Sequence, residues 1–202
     1  MKQLYFPFAA LLCIALPLRS QGYLLPEPGH KIAFHFSDTV TVRTFDVNNN
    51  LFYFDDGDII DQMDPLAGRA TGIYGKPADY SVMAYPSFLS LSPDGSRVWA
   101  GYTDGANQDA RIYCLDPETG TWDHKANMPA NWDLEFWNDS LLVSGLNSAD
   151  YQTPNAIFLL DTSGQDQHRK IVETGGNSAG LAVDSHGHLY YGTSFLTGPN
   201  AL

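Results

Sequence analysis

The chain is poor in cysteine, in positive charge and in long apolar runs. Its 202 residues include only two cysteines, Cys13 and Cys114. Cys13 sits in an N-terminal apolar run without the residues that follow a lipid-attachment cysteine, so no lipoprotein is expected. A chain cleaved after that run keeps Cys114 alone, and one cysteine closes no internal disulfide. Cys114 falls in an apolar strand pattern and is read as an inert core thiol rather than a nucleophile. Only 11 Lys and Arg stand against 23 Asp and Glu, for a net charge of −12. Residues 1–20 carry Lys2, Arg19 and no acid, so without them the charge is −14. Nucleic acids and anionic membranes attract positive surfaces, and this balance argues against both as partners. Beyond the N-terminal run, no apolar stretch reaches the length that spans a bilayer, so no membrane insertion of the mature chain is expected. The sequence also lacks a helix-forming run rich in Ala, Glu, Lys and Leu. It has no Gly-x-Ser-x-Gly elbow, phosphate-binding glycine loop, dinucleotide fingerprint or paired-cysteine metal motif.

What remains is 13% aromatic, with 18 Gly and 12 Pro, a composition that suits short strands joined by turns. Residues 1–20 resemble a secretory signal peptide: Lys2, a short apolar run over Phe8–Leu16, then small residues near Ser20–Gly22. The expected location is therefore secreted, periplasmic or cell-surface. Residues 21–30 form a Pro/Gly-rich linker. Lys31–Phe36 alternates like a strand, with Ile32, Phe34 and Phe36 on one face.

From there the sequence repeats. Asp64-Pro65-Leu66-Ala67-Gly68 recurs as Asp116-Pro117-Glu118-Thr119-Gly120 and Asp161-Thr162-Ser163-Gly164, the Asp residues successively 52 and 45 apart. The carboxylate accepts backbone N–H groups across the turn, Pro presets φ, and Gly takes the left-handed position. Each such turn follows an apolar strand: Ile59–Met63, Ile112–Leu115 and Ile157–Leu160. A second turn precedes another strand: Asn48–Asn50, Pro93–Gly95, Asn138-Asp139 and Ser185–Gly187. Single glycines, Gly101, Gly145 and Gly192, end that strand in the last three units. Four short strands in about 40–50 residues are the mark of a propeller blade, which must stack on neighbours to bury both faces. The expected fold is all-β: a partial β-propeller of about three and a half four-stranded antiparallel blades, near 40–76, 84–128, 132–174 and 178–202.

Two stretches carry a family likeness. Ser92-Pro93-Asp94-Gly95-Ser96-Arg97-Val98-Trp99-Ala100-Gly101 resembles the surface-layer propeller repeat called YVTN. Ala110–Trp122 with Met128-Pro129 resembles the third and fourth strands of a kelch repeat. A single glycine stands where kelch has two, and Leu115 where kelch has Tyr. The resemblance spans about residues 40–195 and implies the fold, without a kelch partner or active site. The fourth unit stops after two strands, so the chain is expected to be the N-terminal part of a propeller of six or seven blades. Lys31–Phe36 is then either the outer strand of the last blade or an extended arm. An incomplete reading frame without independent function is a further reading.

In propellers, loops between strands two and three and loops between blades gather at one mouth, where ligands bind. That analogy places Tyr102–Ala110, Leu146–Asn155, Thr193–Asn200, Pro77–Pro86, Pro129–Asp133 and Gly175–Ser178 there. Ligand-binding candidates from these loops are Tyr80, Tyr85, Asp104, Asn131, Trp132, Asp133 and Asn177. Asp109, Asp150 and Tyr151 accompany them. Aromatic rings beside neutral and acidic hydrogen-bonding groups suit a sugar-like or other polar uncharged ligand, or a hard cation, and the expected partner is a protein or carbohydrate. The expectation is a binding or scaffold module without a cofactor. The alternative is a lactonase-like hydrolase in which Asn131, Asp133, Glu135 and Asn177 hold a divalent cation. His186 and His188 in a turn are two imidazoles, too few for a zinc site, and no metal ligand set is assigned. Asp55–Asp58 reads as a hairpin turn rather than a calcium loop.

Overall fold

A computed structural model describes residues 42–48, 51–56, 59–64, 69–80, 85–103, 110–146, 154–175 and 177–194. All of these lie in one compact unit, Phe36–Leu202. The leader at 1–20, the linker at 21–30 and the strand pattern of Lys31–Phe36 lie outside the described residues.

Fourteen described strands form four separate antiparallel sheets. The first holds β1 (Val42–Asn48), β2 (Leu51–Asp56), β3 (Ile59–Asp64) and β4 (Arg69–Gly75). The second holds β5 (Tyr85–Leu91), β6 (Val98–Thr103), β7 (Arg111–Asp116) and β8 (Thr121–Asn127). The third holds β9 (Ala130–Trp137), β10 (Ser140–Leu146), β11 (Ala156–Leu159) and β12 (Arg169–Glu173), and the fourth β13 (Asn177–Val183) and β14 (Leu189–Ser194). Within each sheet the strands pair in chain order. The first strands meet one another across sheets: β1 lies against β5, β5 against β9, and β9 against β13. Sheets that meander outward from a shared row of inner strands are propeller blades, and the fold is a partial β-propeller.

Local chemistry sets the turns. The Asp116 carboxylate accepts the Glu118 and Thr119 amides at 2.9 and 3.4 Å, and Gly120 closes the turn at φ 69°. Asp161 repeats this on Ser163 at 2.9 Å, with Gly164 at φ 83°. Trp137 pairs with Ser140, so Asn138-Asp139 is a two-residue hairpin loop, and Asn138 takes the left-handed φ of 52° that Asn tolerates.

Burial between blades supplies the core. Leu89, Leu91, Val98, Tyr102 and Leu115 of blade 2 pack with Tyr53 and Ile60 of blade 1. Phe88, Ile112 and Met128 pack with Leu134, Val143 and Phe158 of blade 3. Leu142 and Ile157 pack with Leu181 of blade 4. Cys114 is buried and unpaired, and burial pushes its thiol pKa up, which suppresses the thiolate. A polar clasp joins blades 2 and 3 at their outer strands. The Asp161 amide donates to His168 Nδ1 at 3.1 Å, which leaves the proton on Nε2, and Nε2 donates to the Asn127 carbonyl at 2.8 Å. Asp166 accepts the backbone and side-chain N–H groups of the same Asn127 at 2.8 and 2.9 Å.

Candidate functional site

The register fixes which strand ends gather together. Tyr85 pairs with Thr103, Tyr102 with Arg111, and Arg111 with Asn127. One end of blade 2 therefore collects the start of β5, the end of β6, the start of β7 and the end of β8. The same holds for Ala130, Leu146, Ala156 and Glu173 in blade 3. This end carries the links between blades and the loops between second and third strands. The Asp116–Gly120 and Asp161–Gly164 turns lie at the other, and the turn after Asp64 falls outside the described residues.

Asn131, Trp132 and Asp133 sit at the link end, inside β9 rather than in the loop that the sequence suggests. Tyr85 and Asn177 likewise open β5 and β13. The strands begin early because their first residues bond into neighbouring strands. Tyr80 lies in the link before β5. Asp104, Asp109, Asp150 and Tyr151 lie outside the described residues, as do the side chains of Tyr85 and Asn177.

The inner strand of every blade slips register near its second strand's end. In β5, Pro86 faces Tyr102 and Phe88 faces Gly101, which leaves Ser87 as an extra residue. In β9, Asn131 faces Gly145 and Asp133 faces Ser144, which leaves Trp132 extra. β1 slips between Val42 and Phe45, and β13 between Ser178 and Leu181. A bulge bends the strand and re-aims its side chains. It explains two of the strand-ending glycines. A Cβ on Gly101 would overlap the side chains of Asn131 and Phe88, and one on Gly145 the Ala130 carbonyl oxygen.

The re-aimed side chains tie blade to blade. Asn131 is fully buried; its Oδ1 accepts the Ser87 hydroxyl, and its Nδ2 donates to the Tyr102 carbonyl at 3.3 Å. Asp133 Oδ2 accepts the Leu181 amide at 2.6 Å, and Oδ1 accepts the Leu134 amide at 2.9 Å. β9 is thus bonded backward to blade 2 through Asn131 and forward to blade 4 through Asp133. The Trp132 indole donates to Asn155 Oδ1 at 3.1 Å.

Tyr80 heads an aromatic file. Its ring meets Tyr102 edge-on at 4.5 Å, Tyr102 meets Tyr113 at 5.8 Å, and Tyr113 meets Trp122 at 6.2 Å. The Lys76 ammonium lies 5.0 Å above the Tyr80 ring, within cation–π range. Beside it, Asp79 pairs with Arg111 at 2.9 Å and accepts the Tyr113 hydroxyl at 3.2 Å. Burial raises the Tyr113 pKa, so its phenol stays protonated and donates. Ser87, Asp79 and Arg111 had no signal in the sequence, since each matters only through a partner more than thirty residues away. Two clefts open on the outer strands instead. One, of about 370 Å³, is lined by Arg97, Cys114, Asp116, Trp122 and Lys125; another, of about 330 Å³, runs between β8 and the Thr162–Asp166 turn.

Radial blades with a bulged inner strand, and polar residues where the inner strands begin, define a β-propeller. Solved structures similar to this chain include a gluconolactonase, XC5397 from Xanthomonas campestris, at TM-score 0.60 and 17% identity over 79% of this chain and 63% of that one. Virginiamycin B lyase from Staphylococcus aureus aligns at TM-score 0.53 and 15% identity, over 77% of this chain and 49% of the lyase. PorZ, a bacterial surface component of the type-IX secretion system of Porphyromonas gingivalis, aligns at 0.51 and 16%, over 79% of this chain and 24% of PorZ. This chain therefore spans less than two thirds of each of these proteins. At these identities the likeness is one of fold. No protein-family model and no curated protein matches the chain.

Proposed function

We propose that this chain is an exported β-propeller recognition module that holds a protein or glycan ligand at the link end of its blades. One observation carries this reading. The amide and carboxylate that a metal-dependent hydrolase would need at the inner strands, Asn131 and Asp133, already bond to neighbouring blades. They fix the frame on which link-end loops are presented, and loops on a rigid frame suit recognition. Tyr80 and Trp132 add aromatic surface near that end, a feature of sugar and protein contacts. The leader-like residues 1–20 favour a secreted, periplasmic or cell-surface location. Propeller neighbours include a surface component and a subunit of the mitotic checkpoint complex. The second reading, a lactonase-like hydrolase, draws on the gluconolactonase neighbour. Asn177 and Glu135 would then share a divalent ion with the two clamped residues.

Two measurements on the full chain separate these readings. Binding to an array of glycans and surface proteins is expected to persist in EDTA and to weaken in Trp132→Ala. Hydrolysis of gluconolactone with added Ca²⁺, Mn²⁺ or Zn²⁺ is expected to stay at the buffer rate. Metal-dependent hydrolysis that disappears in a folded Asn177→Ala variant would overturn the recognition reading.

A further inference from the structure

The geometry points to a binding site for one divalent ion of the zinc and copper class at the β13–β14 turn, held by Asp184, His186 and His188. It lies at the opposite end of the blade from the link end and stands apart from the recognition reading.

Three observations converge there. First, the ligand atoms are already gathered: one oxygen or nitrogen from each of the three side chains lies within 4.8 Å of the others. Asp184 Oδ2 is 2.8 Å from His188 Nδ1 and 3.9 Å from His186 Nδ1. Ions that bond oxygen and nitrogen at about 2.0–2.2 Å hold tetrahedral ligand atoms between those two separations.

Second, the carboxylate is oriented by the backbone. Asp184 Oδ1 accepts the amides of His186 and His188 at 2.8 and 2.9 Å, which turns Oδ2 toward the two rings and the Tyr190 hydroxyl, 3.2 Å away. Gly187 makes the turn at φ 82°, and the Trp137 indole holds its carbonyl at 3.2 Å. The rings stand side by side, 5.9 Å apart and 27° from parallel.

Third, the turn does not need histidine. Blade 2 makes a related turn one residue longer: its Ser92 amide donates to the Arg97 carbonyl and its Gly95 amide to the Ser92 carbonyl, where in blade 4 the Asp184 amide donates to the His188 carbonyl and the Gly187 amide to the Asp184 carbonyl. There the side chains filling the turn are Ser92, Asp94 and Ser96. Blade 4 puts an acid and two exposed imidazoles, 77% and 69% open, in their place. Two imidazoles with one carboxylate suit Zn²⁺, Cu²⁺ or Ni²⁺ and disfavour Ca²⁺ and Mg²⁺, which take oxygen. On binding, the His188 ring takes the tautomer with its proton on the exposed Nε2, so the neutral imidazole turns its Nδ1 lone pair, now bonded toward Asp184, to the metal. Three protein ligands leave a coordination position for water.

Titrating the full chain with ZnCl₂ in a calorimeter tests the site. One Zn²⁺ per chain is expected, with micromolar affinity and no matching heat from CaCl₂. His186→Ala and His188→Ala, whose side chains are exposed and whose fold is checked by circular dichroism, are each expected to weaken binding more than about tenfold. His124→Ala, on another blade, is expected to bind like the unmodified chain. Absence of zinc heat, or equal zinc binding by the His186→Ala/His188→Ala double variant, would overturn the site. The gluconolactone measurement on that double variant leaves the link end intact, so the two hypotheses fail separately.

Discussion

At the scale of single residues, the glycines separate crowding from conformational freedom. Gly145 faces the bulged start of β9, where a methyl group would run into the Ala130 carbonyl. A backbone atom cannot swing aside as a side-chain tip can, so either β9 or β10 must shift. Gly145→Ala is therefore expected to cost about 3 kcal/mol, within the range for overpacking. Gly75 has open space around its Cβ position, and Gly75→Ala is expected to stay within about 0.5 kcal/mol of the unmodified chain. Urea unfolding of both variants checks the contrast, and an equal cost at the two sites would refute the crowding account. The sequence marks Gly101 and Gly145, with Gly192, as recurring strand-ending glycines. It cannot show the reason, because the atoms that crowd them come from the inner strand after it has slipped register. Asn131 and Asp133 stand out by type in the same way, but Ser87, Tyr102 and Leu181, which occupy them, are brought near only by stacking. With His186 and His188 a readable signal was present. Asp184 precedes them at the same two-residue spacing, and a count of imidazoles does not include it.

Elements were more legible where their chemistry is local. The Asp-Gly turns at Asp116 and Asp161 and the Pro-Asp-Gly turn depend on side chains two to six residues from the backbone they bond, so their composition reveals them. In the β5–β6 turn, Asp94 accepts the hydroxyl of Ser92 at 2.6 Å and the amide of Ser96 at 3.0 Å. These bonds, the Ser92 hydroxyl first among them, lower its pKa to about 2. The sign follows from linkage. The unfolded carboxyl titrates near its ordinary value of about 3.9, so the folded chain holds the ionised form more tightly. The turn's contribution is complete above roughly pH 4 and fades as pH falls through about 2. Replacing Asp94 with Asn removes the titrating group. The gap in urea midpoint between the two chains is expected to be constant from neutral pH to about 4 and to narrow below it. A gap of constant size down to pH 2 would show that ionisation of Asp94 plays no part in the turn. The inner-strand bulges were not legible, because a slipped register is set by the neighbouring strand and not by any residue within the bulge.

At the scale of the whole molecule, the blades form a stack in which each contacts its neighbours, so stability is carried by the seams. Among the described residues, the seam between blades 1 and 2 and that between blades 2 and 3 each bury nine apolar side chains, while the seam between blades 3 and 4 buries three. Asp133 and the Trp137 indole add polar links across this last seam, to the Leu181 amide and the Gly187 carbonyl. Less burial means a smaller free energy holding β13 and β14 in place, so local opening should start there and move inward. Native-state hydrogen exchange is expected to show the β13–β14 amides opening at lower free energy than those of β9–β10, with β5–β8 protected most. Leu181→Ala removes one of the three buried side chains of this seam, at a cost of about 2–4 kcal/mol, and should accelerate exchange in β13–β14 alone. Val143→Ala, in the richer seam, should instead loosen blades 2 and 3 together, because its neighbours belong to both. If every amide exchanged through one opening of the same free energy, and Leu181→Ala accelerated all of them alike, the blades would be a single cooperative block. The seam description would then have to give way to one in which the inner-strand bonds of Asn131 and Asp133 weld the stack together.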